Sequence, residues 1–154
     1  MSRWSGTRCL RKRCVPFADT SAIFAFLVAD DRHHSDAVRA EAVLRSRRES
    51  IWTIDPVLTE LWLLLRRETS REMSDRLVSG LLERGLRREP LRPEDYLRAW
   101  ELARDWPDQD FSLTDRQSFA TIERNRDLRA WSYDADFAVI RLGRQRRVSL
   151  ELVR

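Results

Sequence analysis

Four carboxylates, Asp19, Glu60, Asp115 and Asp134, stand in positions from which they could act on one substrate together. Asp19 interrupts the apolar stretch VPFADTSAIFAF, residues 15–26, and burying an unpaired carboxylate costs several kcal/mol or more. Either Asp19 is exposed by geometry or a cation sits beside it. Glu60 lies beyond the first turn of its helical stretch, with Val57, Leu63 and Leu64 at three and four residues' distance. It therefore shares a face with apolar side chains, and capping does not account for it. Asp115 and Asp134 have ordinary readings when taken singly. An acid in a helix's first turn complements the dipole by about 0.3–1 kcal/mol, and an acid after a strand is a common turn residue. Taken together, these acids have no lysine among them and repel one another unless a divalent cation holds them. Magnesium and manganese prefer such oxygen ligands. A cation held by such acids lowers the pKa of its bound water and makes hydroxide available near neutral pH, chemistry that needs no histidine or serine nucleophile. His33 and His34 are read as surface residues at the start of a helix.

These acids need elements to position them. Residues 15–18 read as a short buried strand, and TSAIFAFLVAD as a helix opened by Thr20 or Ser21. A second, charged helix is expected over residues 31–47, with Ala37, Val38, Ala42 and Val43 at helical spacing. SIWTI is a strand. DPVLTELWLLLRRE is a helix with Asp55 as its cap, Pro56 at the first helical position and Arg66 and Arg67 at its close. An amphipathic helix over residues 71–84 ends near Gly85, LRREPL is a short strand, and Pro93 opens a helix through Trp106. In FSLTDRQSFATIERN, Thr114 and Gln117 have the spacing of a capping box. LRAWSY and VSLELV are read as strands, the latter terminal. Strands separated by helices imply a mainly parallel sheet covered on both faces. In such a sheet ligands bind beyond the carboxyl ends of the strands, so Asp19, Asp134 and Asp115 can converge at one edge.

The 154 residues suit one domain, taken as residues 14–154, preceded by a basic extension over residues 1–13 that lacks any apolar period. Hydrophobic residues make up 42% and charged residues 35%, and no apolar run reaches the roughly 18 residues of a membrane span. Cys9 and Cys14 make no disulfide framework, so a reduced, cytoplasmic setting is expected. Lys12 is the sole lysine among 29 basic residues. An arginine-rich surface suits a nucleic-acid partner through bidentate phosphate contacts, and a codon bias towards arginine explains it equally well. Arg32 and Arg116, beside the acidic motifs, are the candidates for holding a phosphate backbone, and Trp52 or Trp131 the candidates for partial exposure.

FADTSAIFAFL, DRHHSDA, TIDPVLTELWLLL, DFSLTDRQSFA and WSYDADFAVI, in that order, span most of residues 15–142. Together they resemble the PIN-domain nucleases, in particular the toxins of VapBC toxin–antitoxin pairs. The resemblance implies a three-layer α/β/α sandwich and a magnesium- or manganese-dependent endoribonuclease. It places the family's acids on Asp19, Glu60, Asp115 and Asp134, with Asp136 as a further, more variable acid. Thr20, Ser21 and Thr114 fall on its hydroxyl positions near the metal. It also implies an RNA substrate, an antitoxin partner and a homodimer. The helix DPVLTELWLLLRRE is apolar almost all the way round, wider than a single core-facing stripe, and residues 57–65, with part of the 71–84 helix, are expected at or near a protein interface unless the helix is wholly enclosed. The alternative function is a catalytically silent PIN-like domain that binds RNA or protein. Phosphotransferases on a doubly wound sheet fit less well: Ser21 stands where a dehalogenase-like enzyme needs a second Asp, and no late lysine serves a receiver domain.

Overall fold

The computed structural model describes residues 15–154, so the expected extension over residues 1–13 lies outside the described residues. In chain order the elements are β1 (Phe17–Ala18), α1 (Thr20–Leu27), α2 (His34–Ser46), β2 (Trp52–Thr53), α3 (Asp55–Glu68), α4 (Arg71–Glu83), β3 (Arg87–Arg88), α5 (Pro93–Asp105), α6 (Leu113–Asn125), β4 (Arg129–Trp131), α7 (Asp136–Val139), β5 (Arg141–Leu142), β6 (Val148–Ser149) and β7 (Glu151–Val153). The main sheet has the order β3-β2-β1-β4-β7, and every neighbouring pair in it is parallel. Helices flank this sheet, which gives the expected α/β/α sandwich. The inner strands of a parallel sheet covered on both faces are buried, and β1 and β2 are accordingly buried at every residue, while the edge strand β3 is exposed.

The core is bound by aromatic rings that run behind the strand ends. Phe17 of β1 meets Trp52 edge-on at 4.9 Å and stacks near Phe137 at 6.1 Å. Phe137 in turn meets Phe119 of α6 at 4.9 Å. Each such pair adds about 0.5–1.5 kcal/mol beyond the area it buries. The chain of rings ties β1 to α6 and so sets the position of Asp19 relative to Asp115.

Several local expectations are corrected. The stretch over residues 31–47 starts its helix at His34, because Asp31 Oδ1 accepts from the His33 N–H at 2.8 Å and holds residues 31–33 in a turn. In α3, Ile54 is the N-cap and Asp55 is the first helical residue. The Asp55 carboxylate is instead engaged by Arg88 at 2.7 and 2.9 Å. The capping box of α6 is formed by Ser112 and Asp115, not by Thr114 and Gln117. VSLELV divides: β6 pairs antiparallel with β5, while β7 joins the main sheet beside β4, committed there by the Glu151 N–H to Leu128 carbonyl bond at 2.8 Å. Trp52 and Trp131 are both buried, and it is Trp100 that is half exposed, at 51%. His33 and His34 are half-buried and engaged. The His33 ring stacks on Tyr133 at 4.6 Å, and His34 Nδ1 lies 2.8 Å from the Ala25 carbonyl.

Candidate active site

The strand order reverses at β1: the chain steps outward from β1 to β2 and β3, then returns to place β4 on the other side of β1. The crevice at such a switch point is where open α/β sheets bind ligands. Asp19 follows β1 directly, and Ser132 and Asp134 follow β4. The Asp19 N–H donates to the Trp131 carbonyl at 3.0 Å, which carries the ladder to the site itself.

Asp19 is the N-cap of α1 and is buried at 3% exposure. Its Oδ2 accepts from the Ser21 hydroxyl at 2.7 Å, the Ser21 N–H at 3.2 Å and the Ser132 hydroxyl at 3.1 Å. Ser132 Oγ in turn accepts from the Asp134 N–H, and Ser21 Oγ from the Tyr133 N–H, each at 3.0 Å. Asp134 Oδ1 accepts from the Asp136 N–H at 2.8 Å. One hydrogen-bonded chain thus joins Asp19, Asp134 and Asp136. Glu60 is reached from α1, because Thr20 Oγ1 donates to its Oε2 at 2.8 Å. Its face of α3 is a boundary: Val57 is buried while Leu63 is 51% exposed.

Asp115 exchanges bonds with the N-cap of its helix: the Asp115 N–H donates to Ser112 Oγ, and Asp115 Oδ2 accepts from the Ser112 N–H, both at 3.0 Å. The capping role is therefore real, and the same carboxylate also feels the other acids. Burial, with the charges of Asp19 and Asp134 adding to it, pushes the Asp115 carboxyl up to about 7 against the pull of the Ser112 bonds. Burial likewise raises Asp19, partly offset by its serine bonds. Asp136 is raised by burial and by Asp134 and Asp110.

None of the ion pairs among the described residues involves Asp19, Glu60, Asp115, Asp134 or Asp136. The cluster is an all-oxygen set, buried at Asp19 and Asp115 and half-buried at Glu60, Asp134 and Asp136, with no ion pair among the described residues; oxygen donors of this kind suit a hard divalent cation. Among the described residues, no three His, Cys, Asp or Glu side chains stand together closely enough to hold a metal ion between them. The acids meet through their fields rather than around one point.

Two residues escaped the sequence reading. Ser132, fully buried, links the two strand ends, and a serine two places before an acid carries no signal of its own. Ser112 was hidden because Thr114–Gln117 offers the same spacing two residues later. Of the arginines singled out, Arg32 is exposed. The Arg116 guanidinium lies 5.1 Å over the Trp100 ring, and its Nε donates to the Ser112 carbonyl at 3.3 Å. An open groove of about 720 Å³ adjoins the cluster, with Glu60 and Thr114 in its wall beside Thr59, Tyr96, Leu113 and Gln117.

The model of the PIN-domain family matches residues 17–142. VapC20 from Mycobacterium tuberculosis, described as a toxin that cleaves the sarcin-ricin loop, is similar in structure with a TM-score of 0.69. It is 26% identical over 78% of this chain and 90% of that one. VapBC2 from Rickettsia felis, solved bound to a DNA fragment from its promoter, shares the fold with a TM-score of 0.64. It is 15% identical over 90% of this chain and 98% of that one. No curated protein matches the sequence. With the family model spanning β1 to β5, the chain belongs to the PIN-domain family.

Proposed function

We propose that this protein is a magnesium- or manganese-dependent endoribonuclease and the toxin component of a toxin–antitoxin pair. One observation carries the reading: at the switch point Ser132 joins Asp19 to Asp134, the charges of both bear on the buried Asp115, and no ion pair among the described residues offsets them. The Mycobacterium tuberculosis structure, at 26% identity, is described as an RNA-loop-cleaving toxin, which supports RNA as the substrate class. Asp19, Glu60, Asp115 and Asp134 would hold the metal, with Asp136 beside them. When bound, such an ion supplies a reactive water near neutral pH and offsets charge on the scissile phosphate.

The chain's own residues prepare that site. Ser21 and Ser132 fix the Asp19 carboxylate, Thr20 fixes Glu60, and Ser112 fixes Asp115. Pre-oriented carboxylates lose little freedom when a cation arrives. An antitoxin chain and a second copy of this protein are the partners that come with the reading. Val38 and Val43 on α2, and Leu97 on α5, are apolar surface open to them.

The open spacing of the acids favours one other reading, a silent PIN-like domain that binds RNA or protein. Incubation with single-stranded RNA, with Mg²⁺ or Mn²⁺ and then with EDTA, separates the two. The nuclease cuts only with metal, and Asp19→Asn lowers its rate by at least ~10²-fold, the cost of losing one electrostatic support. Cleavage that persists in EDTA overturns the metal dependence, and intact RNA under all conditions establishes the silent domain.

A further inference from the structure

We infer that the groove beside the acid cluster is a nucleobase subsite, in which the ring of Tyr96 stacks on a base of single-stranded RNA; this rests on the ribonuclease reading above. The groove shares Glu60 with the cluster, and Glu60 is held by Thr20, the residue after Asp19. It also contains Thr114, the neighbour of Asp115. A nucleotide whose phosphate reaches the acids therefore has its base within reach of the groove.

The lining selects the base and not the backbone. Among the described residues no arginine or lysine lines the groove; Asp55 at its rim is paired with Arg88, and the Glu60 carboxylate in its wall repels phosphate. Tyr96 and Leu113 are exposed by 47% and 42%, and with Leu63 and Leu91 they form apolar walls. Thr59, Thr114 and Gln117 place donors and acceptors between those walls. Flat apolar faces with polar edges are what an unstacked base presents, and single-stranded nucleic acids are held by such aromatic platforms. A volume of about 720 Å³ lies within the range of sites for compact organic ligands. An apolar helix of a partner protein would leave the three polar side chains facing hydrocarbon, so the base is the better-matched occupant.

The test uses the full chain in two measurements. In steady-state cleavage of single-stranded RNA, Tyr96→Ala raises KM about ten-fold, the effect of losing one stacked base, while Tyr96→Phe behaves as wild type. In EDTA, fluorescence anisotropy compares octaadenylate with an abasic ribose-phosphate octamer of the same charge. The wild-type chain prefers octaadenylate about ten-fold, and Tyr96→Ala abolishes the preference. Wild-type kinetics in Tyr96→Ala, a loss in Tyr96→Phe equal to that in Tyr96→Ala, equal affinity for the two oligomers, or no binding to either overturns the subsite. A base preference that depends on Tyr96 in a protein that cuts no RNA leaves the subsite standing and overturns the nuclease reading.

Discussion

Asp115 serves two purposes that pull its charge in different directions. The Ser112 bonds of the capping box favour the carboxylate, while burial and the neighbouring Asp19 and Asp134 favour the acid, and the balance lies at about 7 against an ordinary 3.8. The folded, metal-free chain therefore holds a proton that the unfolded chain releases between about pH 4 and 7. Its stability falls as pH rises through that window. Asp115→Asn keeps an oxygen for the Ser112 N–H and carries no charge. In EDTA at pH 8 the variant is expected to melt above wild type, and the gap should close towards pH 4. Thermal melts across that range check it, and a gap independent of pH would mean the charge of Asp115 is not the cause. The acid itself was legible in DFSLTDRQSFA. Its capping partner was not, because Ser112–Asp115 and Thr114–Gln117 both satisfy the spacing, and only the turn entering α6 chooses between them.

At the scale of elements, α5 and α6 are bolted together by charge. Arg124 on α6 reaches Asp95 on α5 at 2.9 and 3.0 Å and Glu89 at 2.9 Å, and Asp95 is almost wholly buried. Arg98 adds a bond to Glu123 at 2.7 Å. This lock holds the helix that carries Tyr96 against the helix that carries Asp115. Arg124→Met leaves the Asp95 charge buried without its counterion and is expected to cost about 3–5 kcal/mol in urea unfolding. A loss under ~1 kcal/mol would show that the Arg92 N–H, which also bonds Asp95, suffices. Helix α3 was bounded to within one residue from its pattern, yet its broad apolar girth is largely spent inside the chain. Val57, Leu58, Leu61 and Leu65 are buried, and Trp62 Nε1 donates to Asp75 on α4 at 2.8 Å. Leu63 is the member left half exposed.

For the whole molecule, a cation held by the cluster, as proposed, would make folding and metal binding one equilibrium. A cation that binds only the folded chain stabilises it by about 2.7 kcal/mol at a hundred times its Kd. Mn²⁺ or Mg²⁺ is therefore expected to raise the melting temperature by several degrees, and Asp19→Asn to shrink that rise. Calorimetry with and without metal reads this without any cleavage assay, and equal melting temperatures would remove the metal from the proposed chemistry. No helix among the described residues is long and apolar enough to cross a membrane.

The sequence by itself determined the fold class and most helix bounds, and it singled out the acids as candidates. Those are local facts: periodicity, caps and a carboxylate breaking an apolar run are all written within a few residues. Strand order was decided only by the tertiary structure. It is set by how successive crossovers pack on the sheet, and it is what makes the ends of β1 and β4 neighbours. The same is true of Ser132, which meets Asp19 across 113 residues of chain. It is true of the division of VSLELV between two sheets, and of the groove walled by α3, α5 and α6. Burial and electrostatic coupling are sums over elements remote in sequence. The acids could therefore be named from the chain, but their shared field, and the apolar cleft beside it, exist only once the chain has folded.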